Sequence, residues 1–129
     1  MTTQAVSKTY ILGDLHGTLD TLAGWILTYA NAFGNGDVGA GIAIPGAADK
    51  SIQVTGTFGT GGSVALEGSN DGTNYFALTN PTGTTIAVTA AGLVAVTEAC
   101  LWIRPHVTAG DGTTALVAVV FTRNTQTIW

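Results

Sequence analysis

Residues 51–123 alternate apolar and polar side chains over short runs, and turn sequences separate these runs. Alternation with a period of two places one face of a strand in the interior and the other in solvent. Turn signals at intervals of roughly 8–12 residues are typical of antiparallel sandwiches and barrels. We therefore predict an all-β fold, a compact antiparallel β-sandwich of about seven strands. The predicted strands are 51–58, 63–68, 75–79, 85–90, 93–97, 101–109 and 114–123.

The last of these runs, 114–123, is apolar at almost every position. A strand that is apolar on both faces is buried on both faces. We therefore expect this strand either to lie at the centre of a sheet or to be covered by another segment or another subunit.

The first 50 residues have a different pattern, and we interpret 1–50 as an N-terminal arm with a linker, followed by the sandwich domain 51–129. Apolar side chains spaced three and four apart predict a short helix over 18–33. Thr18 is suited to cap this helix, and Gly34-Asn35-Gly36 to end it. The residues of the stripe are Leu19, Leu22, Ile26, Tyr29 and Phe33.

Charge is scarce, since only 9% of the residues are charged while 46% are hydrophobic and the net charge is −4. This composition excludes disordered chains and charge-rich helical bundles, and it offers no basic surface for a nucleic acid. No apolar run is long enough to span a membrane, and the N-terminus lacks the pattern of a signal peptide. The single cysteine, Cys100, excludes an internal disulfide and is expected to be a buried structural thiol. So little charge indicates a surface that is covered in an assembly.

The string Gly13-Asp14-Leu15-His16-Gly17 resembles the first metal-binding motif of calcineurin-like metallophosphoesterases. The resemblance implies Asp14 and His16 as ligands of a two-metal site that hydrolyses phosphate esters. The later motifs of that family, Gly-Asp-x-x-Asp-Arg-Gly and Gly-Asn-His-Asp/Glu, are absent from the sequence. We therefore interpret the string as a chance match and predict a protein without catalytic residues, metal or cofactor.

Three side chains of the predicted strand 101–109 share one face, namely Trp102, Arg104 and His106. Indole, guanidinium and imidazole groups together can bind a sugar or a carboxylate, with Tyr75 as a further candidate. This surface patch supports an alternative function as a carbohydrate- or receptor-binding module. The competing interpretation packs Trp102 under the N-terminal half and leaves the other two side chains at the rim. Pro105 predicts an edge strand or a bulge, because proline has no ladder donor.

Strings within 51–58, 64–78 and 101–113 resemble small structural proteins of tailed bacteriophages, among them capsid decoration (cement) proteins and head or tail accessory components. The resemblance implies a protein made in the host cytoplasm and located in the virion, on the capsid exterior. Its implied partners are the major capsid protein or other virion proteins, together with further copies of itself. Attachment would be non-covalent, through strand edges and the N-terminal arm. The arm residues expected to make contact are Tyr10, Ile11, Leu12, Leu19, Leu22, Trp25, Ile26, Tyr29 and Phe33.

Overall fold

The computed structural model describes residues 3–15, 19–44 and 47–124, without the side chains of 10–24, 31–32, 47–48 and 124. Within these ranges the chain forms eleven strands and no helix, so the predicted all-β class is confirmed. The strands are β1 (Thr3–Gln4), β2 (Ser7–Leu15), β3 (Leu19–Phe33), β4 (Val38–Gly39), β5 (Ile42–Ala43), β6 (Ala47–Thr57), β7 (Ser63–Ser69), β8 (Phe76–Ala77), β9 (Gly92–Val96), β10 (Trp102–Ala109) and β11 (Ala115–Asn124).

The strands form two sheets, which we call sheet A and sheet B. Sheet A has the order β1-β4-β10-β7-β8, and β5 also pairs with β10. Sheet B has the order β2-β3-β11-β6-β9. The pairing of β1 with β4 is parallel, whereas the other strand pairs given for the described residues are antiparallel.

The core lies between the two sheets. Sheet B contributes Leu27, Ile52 and Val120, and sheet A contributes Leu66 and Ile103; each of these side chains is 0% exposed. Complete burial of a branched aliphatic side chain stabilises the folded state by about 1.5–3 kcal/mol relative to exposure. Side chains from both sheets meet in one cluster, which gives the sandwich architecture.

The doubly apolar strand lies at the centre of its sheet, as one of the two sequence interpretations required. β11 pairs with β3 on one side and with β6 on the other. Its even-numbered side chains from Leu116 to Thr122 are buried in the core, whereas Val117 and Val119 point outward and are half-buried. The backbone of β11 is thus paired on both edges, but among the described residues only one of its faces is packed in the core.

The helix predicted over 18–33 is wrong for residues 19–33, which form the long strand β3. Trp25, Leu27 and Tyr29 are buried, while Ile26 and Thr28 between them are half-buried on the opposite face. This period of two separates Ile26 from Tyr29, which the helical stripe had placed together. The strand prevails because β11 needs a second hydrogen-bonding neighbour, and β3 supplies its backbone from Gly24 to Phe33.

The predicted boundary at residue 50 falls inside β6, which spans Ala47–Thr57. Strands from the first 50 residues pair with strands from the rest of the chain: β3 with β11, and β4 and β5 with β10. The described part of the expected arm therefore belongs to the two sheets rather than extending from them.

Two smaller expectations also need correction. The run 85–90 does not form a strand. Its residues make two isolated β-bridges, from Thr85 to Thr79 and from Val88 to Val64. Pro105 lies on an interior strand, since β10 has β7 on one side and β4 and β5 on the other. Proline is tolerated there because β4 pairs with β10 at His106 and β5 pairs at Trp102 and Ile103, so neither ladder uses position 105. The irregularity in β10 falls instead between Val107 and Ala109.

Candidate functional site

The predicted surface patch on β10 exists as a face but is occupied by contacts within the chain. Trp102, Arg104 and His106 alternate with buried residues and lie on the outer side of sheet A. In the register of β10 with β7, Arg104 stands opposite Glu67 and His106 opposite Ala65. This register brings one acidic and two basic side chains together, a pairing that no local sequence pattern predicts.

Glu67 binds both basic side chains. The Nε–H of Arg104 donates to Oε1 of Glu67 at 2.8 Å, and the Nδ1–H of His106 donates to Oε2 at 2.9 Å. The carboxylate side chain is only 15% exposed. Burial alone would favour its neutral form, but the hydrogen bonds from His106 and Arg104 outweigh burial and hold the pKa of Glu67 below its ordinary value.

A loop folds back over the same face. The Tyr75 ring lies 4.0 Å from the guanidinium carbon of Arg104, within the range of a cation–π interaction. Its hydroxyl lies so near Gly41 that a Cβ at that position would come within 2.1 Å of it. Burial raises the pKa of the Tyr75 hydroxyl. We call Glu67, Tyr75, Arg104 and His106 the Glu67 cluster.

The loop that carries Tyr75 is organised by the side chain of Asp71. The Asp71 carboxylate accepts hydrogen bonds from the backbone N–H groups of Thr73 and Asn74, both at 2.8 Å, and from the Asn74 side chain. These bonds lower the pKa of Asp71. Gly72 has a φ of 74° and lies against the Trp102 ring, so the loop requires glycine for both its backbone and its packing.

The face suggested for sugar binding therefore already has Arg104 and His106 bound to Glu67 within the chain. Arg104 is held between a carboxylate and an aromatic ring, and Trp102 is half-buried with Gly72 against it. Tyr75, suggested as a further binding residue, instead packs on Arg104. The arrangement fixes the loop 70–75 onto β10.

The other dispersed carboxylates act as local caps. Glu98 accepts the backbone N–H and the hydroxyl of Thr79, at 2.8 and 2.6 Å. Asp111 accepts the hydroxyl of Thr113 and the backbone N–H groups of Thr60 and Thr113, and these contacts lower its pKa. Among the described residues there is no group of three His, Cys, Asp or Glu side chains able to hold a metal ion. The metallophosphoesterase residues Asp14 and His16 lie outside the described side chains.

Cys100 is half-buried rather than fully buried, and it is a free thiol. Its Sγ packs against Gly68, and burial raises the pKa of the thiol. It borders an open groove of about 420 Å³ whose rim includes Phe76, 71% exposed. The thiol packs against the core cluster, which agrees with a structural role.

Three of the predicted arm contact residues are committed to the core. Trp25, Tyr29 and Phe33 are 7%, 0% and 1% exposed. The Lys8 ammonium lies 3.5 Å from the centre of the Trp25 ring. It also donates to the carbonyl of Ala43, so it connects β2 of sheet B with β5 of sheet A beside that ring. These three side chains are not available as a contact surface. The side chains of Tyr10, Ile11, Leu12, Leu19 and Leu22 lie outside the described residues.

Among the predicted arm residues whose side chains are described, Ile26 is the one that reaches an outer face, and that face is the second candidate site. It stands opposite Phe121 of β11 and Thr9 of β2 on the outer side of sheet B. We call the described outward side chains of sheet B the β11 face. Its two central rows are Leu93, Gln53, Val119, Thr28 and Ser7, and Ala95, Ser51, Phe121, Ile26 and Thr9.

The β11 face is almost free of charge. Its described charged side chains are Asp49 and Arg123, which stand opposite each other at one end and bind each other. Large apolar groups nevertheless reach solvent, since Leu93 is 67% and Phe121 42% exposed. A sheet face of this kind provides an apolar contact surface and no chemistry.

Comparisons of the chain with known protein families, with curated proteins and with solved structures find no match. Within the described part of the chain, no helix is long and apolar enough to cross a membrane.

Proposed function

We propose that this protein is a structural component of a tailed-bacteriophage particle, of the capsid decoration (cement) type, which acts by non-covalent adhesion. The observation that carries the proposal is the β11 face, a partly apolar sheet surface whose described charges are confined to the Asp49–Arg123 pair at one end and which nothing in the described chain covers. Contiguous exposed apolar surface on a folded domain typically marks an interaction site. The bacteriophage assignment itself rests on the sequence strings within 51–58, 64–78 and 101–113.

The proposed attachment uses a face of sheet B instead of the N-terminal arm expected from the sequence. The expected arm side chains Trp25, Tyr29 and Phe33 are in the core, so adhesion cannot depend on them. The outward side chains of β3, β6, β9 and β11 take over this role, with Val119 at the centre. The Glu67 cluster holds the loop 70–75 in place on the other outer face.

A scaffold role also agrees with the polar contacts. Glu67, Asp71, Glu98 and Asp111 are each engaged in hydrogen bonds that organise a loop or a strand pair. A decoration protein must stay folded and bound, and neither requirement calls for a reactive group.

The direct test is the composition of purified particles. We expect this chain to co-purify with intact particles through a density gradient, at a copy number comparable to that of the major shell subunit. A variant with Val119→Glu should fold but be lost from the particles, whereas the matched exposed variant Ala109→Glu on sheet A should be retained. Absence of the chain from particles, or a presence of only a few copies, contradicts the proposal.

A further inference from the structure

The β11 face has a shape and position that suit contact with an identical face. β11 is the third of five strands in sheet B, and Val119 is near the middle of β11. A two-fold axis through the centre of this face would therefore bring Val119 of one copy close to Val119 of the other. Such isologous contacts, in which one patch pairs with itself, are the commonest way in which soluble proteins form dimers.

The size of the face is sufficient for a specific contact. Strands in a sheet lie about 4.8 Å apart and rise about 3.3 Å per residue. β9 pairs over only five residues and the described side chains of β2 are Ser7, Lys8 and Thr9, so the described face measures roughly 600 Å² for each copy. This lies at the lower end of the roughly 600–1,000 Å² that each partner contributes to a specific protein interface. Two sheets stack face to face at a distance of about 10 Å. Seven of the ten side chains in the central rows are small or β-branched, and the exceptions are Leu93, Gln53 and Phe121.

Charge distribution favours a second copy over a charged partner. The chain carries a net charge of −4, so two copies repel each other wherever carboxylates approach. The Glu67 cluster and the loop of Asp71 place acidic groups on sheet A, whereas the central rows of the β11 face have none. The Asp49–Arg123 pair at its end is neutral as a unit. The β11 face is thus a surface on which two copies can meet without unpaired charge.

We infer that the β11 face is a self-association surface, on which two copies of this chain stack sheet B against sheet B around a two-fold axis near Val119. The inference rests on the proposed function, because it names the neighbouring subunit that covers this face in the particle. The sandwich interior of each copy stays unchanged, and the strand edges and sheet A remain outside the contact.

The test uses the full chain in sedimentation velocity across its soluble concentration range. We expect wild-type protein to sediment as a dimer that dissociates on dilution. Val119→Glu and Val119→Lys should each weaken the dimer by about 100-fold or more, because like charges facing each other across an interface cost several kcal/mol. Ala109→Glu on sheet A is the matched control, and it should leave the dimer unchanged.

The decisive arm mixes the two variants. Glu and Lys at position 119 attract each other only if position 119 of one copy faces position 119 of the other. An equimolar mixture of the two variants should therefore recover dimers that neither forms alone. Circular dichroism and thermal unfolding of each variant establish that it is folded before its association is interpreted.

The outcomes separate this inference from the proposed function. A wild-type chain that stays monomeric, a dimer that survives Val119→Glu, or a mixture that stays monomeric overturns the self-association surface. A monomer that still binds particles through Val119 overturns only this inference and shows a different partner on the face. A dimer that is absent from particles supports the inference and contradicts the proposed function.

Discussion

The outer face of sheet A satisfies its charges within the chain, whereas the outer face of sheet B has almost none to satisfy. On sheet A, Glu67 binds Arg104 and His106, and Tyr75 covers the guanidinium. On sheet B, Val119 and Phe121 reach solvent beside serine and threonine. Both sheets share one core, so the difference lies entirely in what the outward positions carry. The comparison indicates that one face stabilises the monomer and the other is available for contact.

The largest difference in unfolding free energy is expected between an inward and an outward position of β3. Tyr29→Ala removes a fully buried ring whose hydroxyl donates to the carbonyl of Ala40, and it should cost about 3–5 kcal/mol of unfolding free energy. Ile26→Ala removes a half-buried side chain from the outer face and should cost about 1 kcal/mol. Urea unfolding of both variants measures this difference. Equal losses of stability would indicate that Ile26 and Tyr29 lie on the same face, as the helical interpretation required.

Truncation of the Glu67 cluster should have the next largest effect. Glu67→Ala leaves Arg104 and His106 without their shared acceptor and should destabilise the monomer by about 2 kcal/mol. Gln53→Ala, an exposed position on sheet B, is the control, and at concentrations where the chain is monomeric it should change stability by less than about 0.5 kcal/mol. Chemical denaturation of both variants is the measurement. If the two losses match, the contrast between the faces does not hold.

A smaller effect is expected from acidic pH, which should reduce the stability that Glu67 contributes on sheet A. The folded-state pKa of Glu67 lies below its ordinary value of 4.5, so the unfolded chain binds more protons at acidic pH. The stability that Glu67 contributes is therefore present above about pH 4.5 and is lost as the pH falls through the folded-state pKa. The variant Glu67→Gln should lose less stability than the wild type between neutral and acidic pH. Asp71 and Asp111 also have lowered pKa values, but they remain in both proteins.

Unfolding free energies measured across this pH range test the assignment. Asp49→Asn, which removes an exposed carboxylate from the end of the β11 face, serves as the comparison. A pH profile of Glu67→Gln that parallels the wild type would mean that Glu67 gains nothing from its partners.

The smallest effect is expected from sodium chloride on self-association through the β11 face. Raising the ionic strength to about 1 M shortens the Debye length to about 3 Å and screens exposed charges. The dissociation constant of the dimer, measured by sedimentation, should therefore be unchanged in sodium chloride. Sodium sulfate should lower this constant, because sulfate strengthens apolar burial. Dissociation that increases tenfold in sodium chloride would instead place paired charges at the contact.

Local alternation was enough to predict most strands between residues 51 and 123. Six of the seven predicted runs correspond to β6 through β11. Turn signals separate these runs, and period-two alternation marks most of them, whereas 114–123 was recognised as a continuous apolar run. The run 85–90 has alternation as well, but its residues form only isolated bridges. The same signal was present in the alternating Trp25, Leu27 and Tyr29, although the apolar spacing of three and four suggested a helix. Short apolar segments fit both periods, and only pairing with β11 decides between them.

The candidate sites show the same limit. The shared face of Trp102, Arg104 and His106 followed from alternation alone, whereas their partner Glu67 is 37 and 39 residues away from the two basic side chains. No spacing rule connects positions that far apart, because strand register depends on the whole sheet. The predicted contact role of Trp25, Tyr29 and Phe33 failed for the same reason, since an apolar side chain is equally suited to a core and to an interface.

The sequence by itself determined the all-β class, the shortage of charge and the doubly apolar strand, because these depend only on composition and local period. The tertiary structure decided which apolar side chains are buried and which remain outside. It placed β11 between β3 and β6, so that its even-numbered positions enter the core and its odd-numbered positions form a face. The physical reason is that a central strand has two faces while the sandwich has one interior, and only the packing of the second sheet selects which face is enclosed.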